Sequence, residues 1–169
     1  MPQMRTDPIR VSEDKWALDG CPDDGPAMAV DRAGVVHVAW PTVVDRLASS
    51  GVEGPEPYKG IFYSSSTDGK SFAPRVRVTP EGRNAAHPQL VAHDGGVTLL
   101  WDEVIDGTRR VFSAGRSGSN GSFTPVALSD VGTPASYPAA VVSGDGIVAA
   151  WTAGQSNTST IVIRRLPIR

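Results

Sequence analysis

Cysteine occurs once in the 169 residues, at position 21. A single thiol excludes a disulfide within the chain, and no Cys/His spacing elsewhere supports a structural zinc site. Cys21 has no lysine, arginine or histidine close by in sequence, so it reads as a buried, inert thiol rather than a nucleophile. No charge sign dominates: 16 Lys and Arg against 18 Asp and Glu leave a formal charge of −2. A phosphate backbone would find no basic patch, so nucleic acid is not expected as a partner. No apolar run approaches the roughly 20 residues of a membrane helix, and no membrane partner is expected. Met1-Pro2-Gln3-Met4-Arg5 lacks the apolar core of a signal peptide, which leaves localisation undetermined. Helical periodicity is missing too, and prolines interrupt the longer windows. Neither a metal nor another cofactor is expected.

What the sequence does have is punctuation. Eighteen glycines and 14 prolines fall between short apolar runs, the distribution of frequent turns. Three segments repeat one pattern. Gly25-Pro26-Ala27-Met28-Ala29-Val30 passes through Asp31-Arg32-Ala33-Gly34 to Val35-Val36-His37-Val38-Ala39-Trp40. His87-Pro88-Gln89-Leu90-Val91-Ala92 passes through His93-Asp94-Gly95-Gly96 to Val97-Thr98-Leu99-Leu100-Trp101. Tyr137-Pro138-Ala139-Ala140-Val141-Val142 passes through Ser143-Gly144-Asp145-Gly146 to Ile147-Val148-Ala149-Ala150-Trp151. Each is a β-hairpin whose second strand ends on tryptophan. The three tryptophans share one structural position and are expected to pack between neighbouring sheets. His37, alternating with Val36 and Val38, is expected to be packed as well.

A loop, a third strand, a turn and a fourth strand follow each hairpin. Gly60-Ile61-Phe62-Tyr63-Ser64-Ser65 leads to Arg75-Val76-Arg77-Val78, and Arg109-Arg110-Val111-Phe112-Ser113 leads to Pro125-Val126-Ala127-Leu128. Four-stranded units about 50 to 60 residues apart are the pattern of propeller blades. The expected fold is therefore all-β, with three four-stranded antiparallel repeats at 22–80, 84–130 and 134–169. Residues 8–11 align with the fourth strands and read as an orphan outer strand of a neighbouring blade. Thr160-Ile161-Val162-Ile163-Arg164-Arg165 reads as a third strand, leaving the last blade without a full fourth one.

The turn Ser66-Thr67-Asp68-Gly69-Lys70-Ser71-Phe72 has a carboxylate to accept backbone N–H groups, a glycine for the bend and an aromatic anchor. Ser66, Asp68, Gly69, Ser71 and Phe72 fit, with one residue missing, the Asp-box of the sialidase-type β-propeller family. The chain resembles the C-terminal three blades of that family, half of a six-bladed ring. The resemblance implies a glycan-handling protein, an exo-α-sialidase-type glycoside hydrolase when completed by further blades. It also implies that the Asp-box lies on the face opposite the active site.

Candidate functional residues come from the loops that enter each first strand and leave each second strand, since loops on a rigid scaffold commonly carry function. By that geometry Asp23, Asp24, Arg83, Asn84, His87, Asp102, Glu103 and Tyr137 border one pocket. Asp23 and Asp24 serve either as sugar-binding carboxylates or as caps of their turn. Sialidases use a tyrosine nucleophile rather than a carboxylate. Ala135-Ser136-Tyr137 is similar in position to it, with Glu103 the carboxylate that would take the proton. The family's arginine clamp and acid/base aspartate have no clear counterpart here, although Arg83 could substitute for one arginine. Two functions therefore stand at this level: a sialidase-like fragment or subunit, and a non-catalytic carbohydrate- or protein-binding module. For assembly, either a homodimer of two three-blade chains or completion by further N-terminal blades is expected.

Overall fold

The computed structural model describes residues 7–14, 24–44, 57–118 and 121–168. The described residues form eleven strands and no α-helix. The first antiparallel sheet has the order β1 (Ala27–Val30), β2 (Val36–Val44), β3 (Tyr58–Ser66) and β4 (Val76–Arg77). The second has β5 (Asn84–His93), β6 (Gly96–Ile105), β7 (Thr108–Ser117) and β8 (Val126–Ala127). The third has three strands, β9 (Ala135–Ser143), β10 (Gly146–Ala153) and β11 (Thr160–Pro167). The three antiparallel sheets are the blade-like repeats read from the sequence, the third ending on its third strand.

Local chemistry sets the turns. In the β1–β2 turn Asp31 Oδ1 accepts the N–H groups of Ala33 and Val35, both at 2.9 Å, which bends the chain back on itself. Asp106 and Gly107 join β6 to β7 with φ of 50° and 76°. Two successive positive φ values define the turn whose twist matches a tight hairpin, and Asp-Gly is a preferred pair for it.

Two apolar layers hold the sheets together. Ala39, Ile61, Tyr63 and Val78 of the first sheet meet Leu90, Leu99, Trp101 and Phe112 of the second. Leu100, Val111 and Leu128 of the second meet Ala149, Trp151 and Ala153 of the third. The middle sheet is thus covered on both faces, and β6 is buried from Val97 to Glu103. Trp101 and Trp151 pack between sheets as expected from the repeat. Trp40, on the outward face of the first sheet, donates its Nε1–H to Asp14 at 2.8 Å. His37 is packed, with Nδ1 2.7 Å from the Tyr63 hydroxyl.

Residues 8–11, read as an orphan outer strand, form no strand with any described residue. The segment is instead held to the first sheet by Asp14, which pairs with Arg75 as well as Trp40. The turn after β3 closes on Asp68, whose Oδ1 accepts from Ser66 Oγ at 2.9 Å and from the N–H groups of Lys70 and Ser71 at 2.8 Å. Those three donors favour the anion and hold its carboxyl at about 2. Cys21 lies outside the described residues.

Candidate functional site

Strand register decides which side chains can meet. In the first sheet Val36 pairs with Ser66 at one end and Val44 with Tyr58 at the other. Asp68 follows the first end; Asp24 and Lys59 lie at the second. In the second sheet Asn84 pairs with Val104 and Val104 with Arg109, which gathers the start of β5, the end of β6 and the start of β7. The start of β9 completes the cluster.

The first strands of the second and third sheets open on an irregularity. Register shifts between Ala86 and Gln89 in β5, and opposite Ala150 and Thr152 in β10. The displaced residues are His87 and Tyr137, with φ of 52° and 55°. Positive φ is uncommon for a residue other than glycine and costs about 1–3 kcal/mol, so surrounding contacts must hold it. They do so in the same way twice. Asp24 Oδ1 accepts the backbone N–H of His87 at 3.1 Å, and Asp102 Oδ2 accepts that of Tyr137 at 2.8 Å. In each case a carboxylate of one sheet fixes the strained residue that opens the next.

Asp102 is fully buried and carries more than that one bond. His87 Nδ1 lies 2.7 Å from the same Oδ2, and Arg109 pairs with Oδ1. A buried carboxylate requires such partners. The His87 ring in turn lies against Tyr137, with centroids 4.2 Å apart and planes tilted by 36°. Tyr137 remains 55% exposed, so an aromatic ring stands open to solvent on a fixed polar base. Asp24 Oδ2 accepts from Lys59 Nζ at 2.5 Å, and the Lys59 N–H donates to Asn84 Oδ1 at 3.1 Å.

Glu103 belongs to the other face of β6. Successive strand residues point to opposite sides, and Glu103 shares the side of Trp101, whose Nε1–H it accepts at 2.9 Å. Arg83 Nε lies 3.8 Å from its other oxygen. Burial pushes its carboxyl above the usual range, against the bond from Trp101 and the charge of Arg83.

Of the residues predicted from sequence, the structure joins Asp24, His87, Asp102 and Tyr137 by direct contacts and attaches Asn84 through Lys59. It sets Glu103 and Arg83 together but apart from Tyr137. Asp23 lies outside the described residues. Lys59 and Arg109 went unread. Their signal is positional: each sits at the start of a third strand, next to where the second strand ends. Among the described residues no three His, Cys, Asp or Glu side chains group to hold a metal ion. A cleft of about 190 Å³ between the second and third sheets, lined by Thr98, Ser113, Val126, Leu128 and Leu166, lies away from this cluster.

Fold and site define an all-β repeat protein of blade-like sheets that carries an exposed aromatic mouth at the ends of its first strands. No protein-family model matches the chain, and no curated protein sequence matches it.

Proposed function

We propose that this protein is a non-catalytic glycan-binding module whose ligand seats on Tyr137 at the sheet ends. The observation that carries this reading is the exposed Tyr137 ring, strained in φ and fixed from below by buried Asp102. Holding an aromatic ring in one orientation before binding removes ordering cost from the binding step. The apolar face of a sugar ring stacks on such a surface, while Lys59 and His87, both oriented by Asp24, border it with donors for hydroxyls.

Charge favours a neutral sugar. Lys59 faces Asp24, Arg109 faces Asp102 and Arg83 faces Glu103, so each cation near the cluster already opposes a carboxylate. An acidic sugar would have to compete with those pairs. The hydrolytic reading, drawn from the resemblance to sialidase-type propellers, needs a carboxylate to take the proton of the Tyr137 hydroxyl. Glu103 is turned to the other face of β6 and bonded to Trp101. Both Asp102 oxygens are occupied by Tyr137 N–H, His87 and Arg109.

Saturation-transfer NMR with lactose and with sialyllactose tests the proposal. Transfer to lactose that disappears in Tyr137→Ala is the expected result, and no transfer to either sugar overturns it. A fluorogenic sialoside is expected to give equal background with the wild type and Tyr137→Phe. Turnover lost in Tyr137→Phe would replace the binding reading with the enzymatic one.

A further inference from the structure

The third sheet ends on an exposed edge. β11 pairs with β10 alone among the described strands, and Ile161 and Ile163 on it are 65% and 69% exposed. In the first two sheets the matching positions are covered. Trp40 pairs with Phe62, Trp101 with Phe112 and Trp151 with Val162, so Ile61, Val111 and Ile161 are equivalent. Ile61 and Val111 are both buried against the following sheet.

The fourth strands bond to that position by one rule. Val78 N–H donates to Ile61 O and Leu128 N–H donates to Val111 O, each at 2.9 Å. The next residue returns the bond: Ile61 N–H donates to Thr79 Oγ1 at 3.1 Å and Val111 N–H to Ser129 Oγ at 3.0 Å. The rule therefore needs an aliphatic residue followed by a hydroxyl. Val76-Arg77-Val78-Thr79 and Val126-Ala127-Leu128-Ser129 supply it, and Ile9-Arg10-Val11-Ser12 repeats the pattern. That segment pairs with none of the described strands. Asp14 holds it at the first sheet, and the first and third sheets lie on opposite faces of the second.

From this match we infer that two copies of the chain exchange their N-terminal segments, residues 9–12 of each forming the fourth strand beside β11 of the other. The Ile161 face of one copy then packs on the Trp40 face of its partner, as the Val111 face packs on Trp151 within the chain. A contact between two different faces closes if its rotation returns to the start. Two copies give six sheets, within the usual range of four to eight for rings of this kind. The segment is already held at the first sheet by Asp14, so exchange needs only that β11 of a second copy come alongside.

The register predicts Ile163 opposite Ile9, as Tyr63 stands opposite Val76. Sedimentation of the full chain at micromolar concentration is expected to give a dimer. Val11→Pro removes the N–H meant for Ile161 O and is expected to give a folded monomer by circular dichroism. Wild-type monomer throughout the range, an open series of higher oligomers, or an unaffected dimer in Val11→Pro each overturns the exchange. A cysteine pair keeps the test decisive should Val11→Pro fail to fold. Ile9→Cys with Ile163→Cys, in a Cys21→Ser background, is expected to oxidise to a covalent dimer carrying two disulfides. Ile9→Cys with Val131→Cys, away from that edge, is expected not to; equal cross-linking of both pairs counts against the register.

Discussion

Asp102 of the second sheet accepts the backbone N–H of Tyr137 in the third at 2.8 Å, and through this bond one sheet sets the backbone of the next. Asp102→Ala removes the acceptor of Tyr137, His87 and Arg109 together. Loss of a buried carboxylate with three partners is expected to cost about 3 kcal/mol, read from the urea midpoint. Tyr137 relaxes with it, so the same variant is expected to lose glycan binding even at temperatures where it remains folded.

Glu103 gives a pH signature of opposite sense to an ordinary paired carboxylate. Its folded pKa lies above the model-peptide value of 4.5 because of burial, so the folded state binds the proton more tightly than the unfolded one. Stability then falls as pH rises from 4.5 through the folded pKa, and the deficit persists above it. Glu103→Gln does not titrate, yet its amide oxygen can still accept from Trp101. Thermal melts are expected to show Glu103→Gln gaining on the wild type from pH 4 to 7. A wild type that gains on the variant over that range contradicts the burial account.

Asp68 runs the other way. Its pKa is depressed from 3.8 to about 2 by the Ser71, Lys70 and Ser66 donors. The stability it contributes is complete above pH 3.8 and is lost as pH falls through about 2. Asp68→Ala is expected to melt below the wild type at neutral pH and to converge with it in acid. A gap that stays constant down to the acid limit would assign the loss to something other than the charge.

Gly96 carries the register of the second sheet. It has φ of 138°, and a Cβ there would stand 2.0 Å from the Arg116 carbonyl oxygen. Gly96→Ala is expected to cost about 3 kcal/mol or more, whereas Gly107→Ala, with open space around its Cβ position, costs only backbone strain, roughly 1 kcal/mol. Denaturant midpoints of the two variants should differ accordingly; equal midpoints would rule out the contact with Arg116.

The hairpins were legible because their turns and tryptophans recur in phase, and strand alternation carries the burial pattern with them. Most of the sheet-end cluster was legible too, since the loops entering first strands and leaving second strands converge by topology alone. The role of Asp102 was less so. Residue order puts Asp102 and Glu103 side by side, but alternation sends them to opposite faces of β6, and only the bulge at Tyr137 reveals which one meets the tyrosine. That bulge is silent in sequence: His87-Pro88 and Tyr137-Pro138 read as ordinary extended pairs, and a positive φ there depends on carboxylates 63 and 35 residues away. The pairings of Lys59 and Arg109 are equally nonlocal in origin.

Covering on both faces gives the middle sheet a different standing from its neighbours. Each sheet is a meander of strands consecutive in sequence, so opening can proceed from either end of the stack without unthreading the centre. In the separated chain, as in monomeric Val11→Pro, amide protons of β1 and β11 are then released by local fraying, and those of β6 only when both flanking sheets have come away. Hydrogen–deuterium exchange should therefore be graded across the chain rather than uniform, slowest from Val97 to Glu103 and fastest along the outer strands. The segment that carries Asp102 is thus expected to be the last of the described strands to exchange.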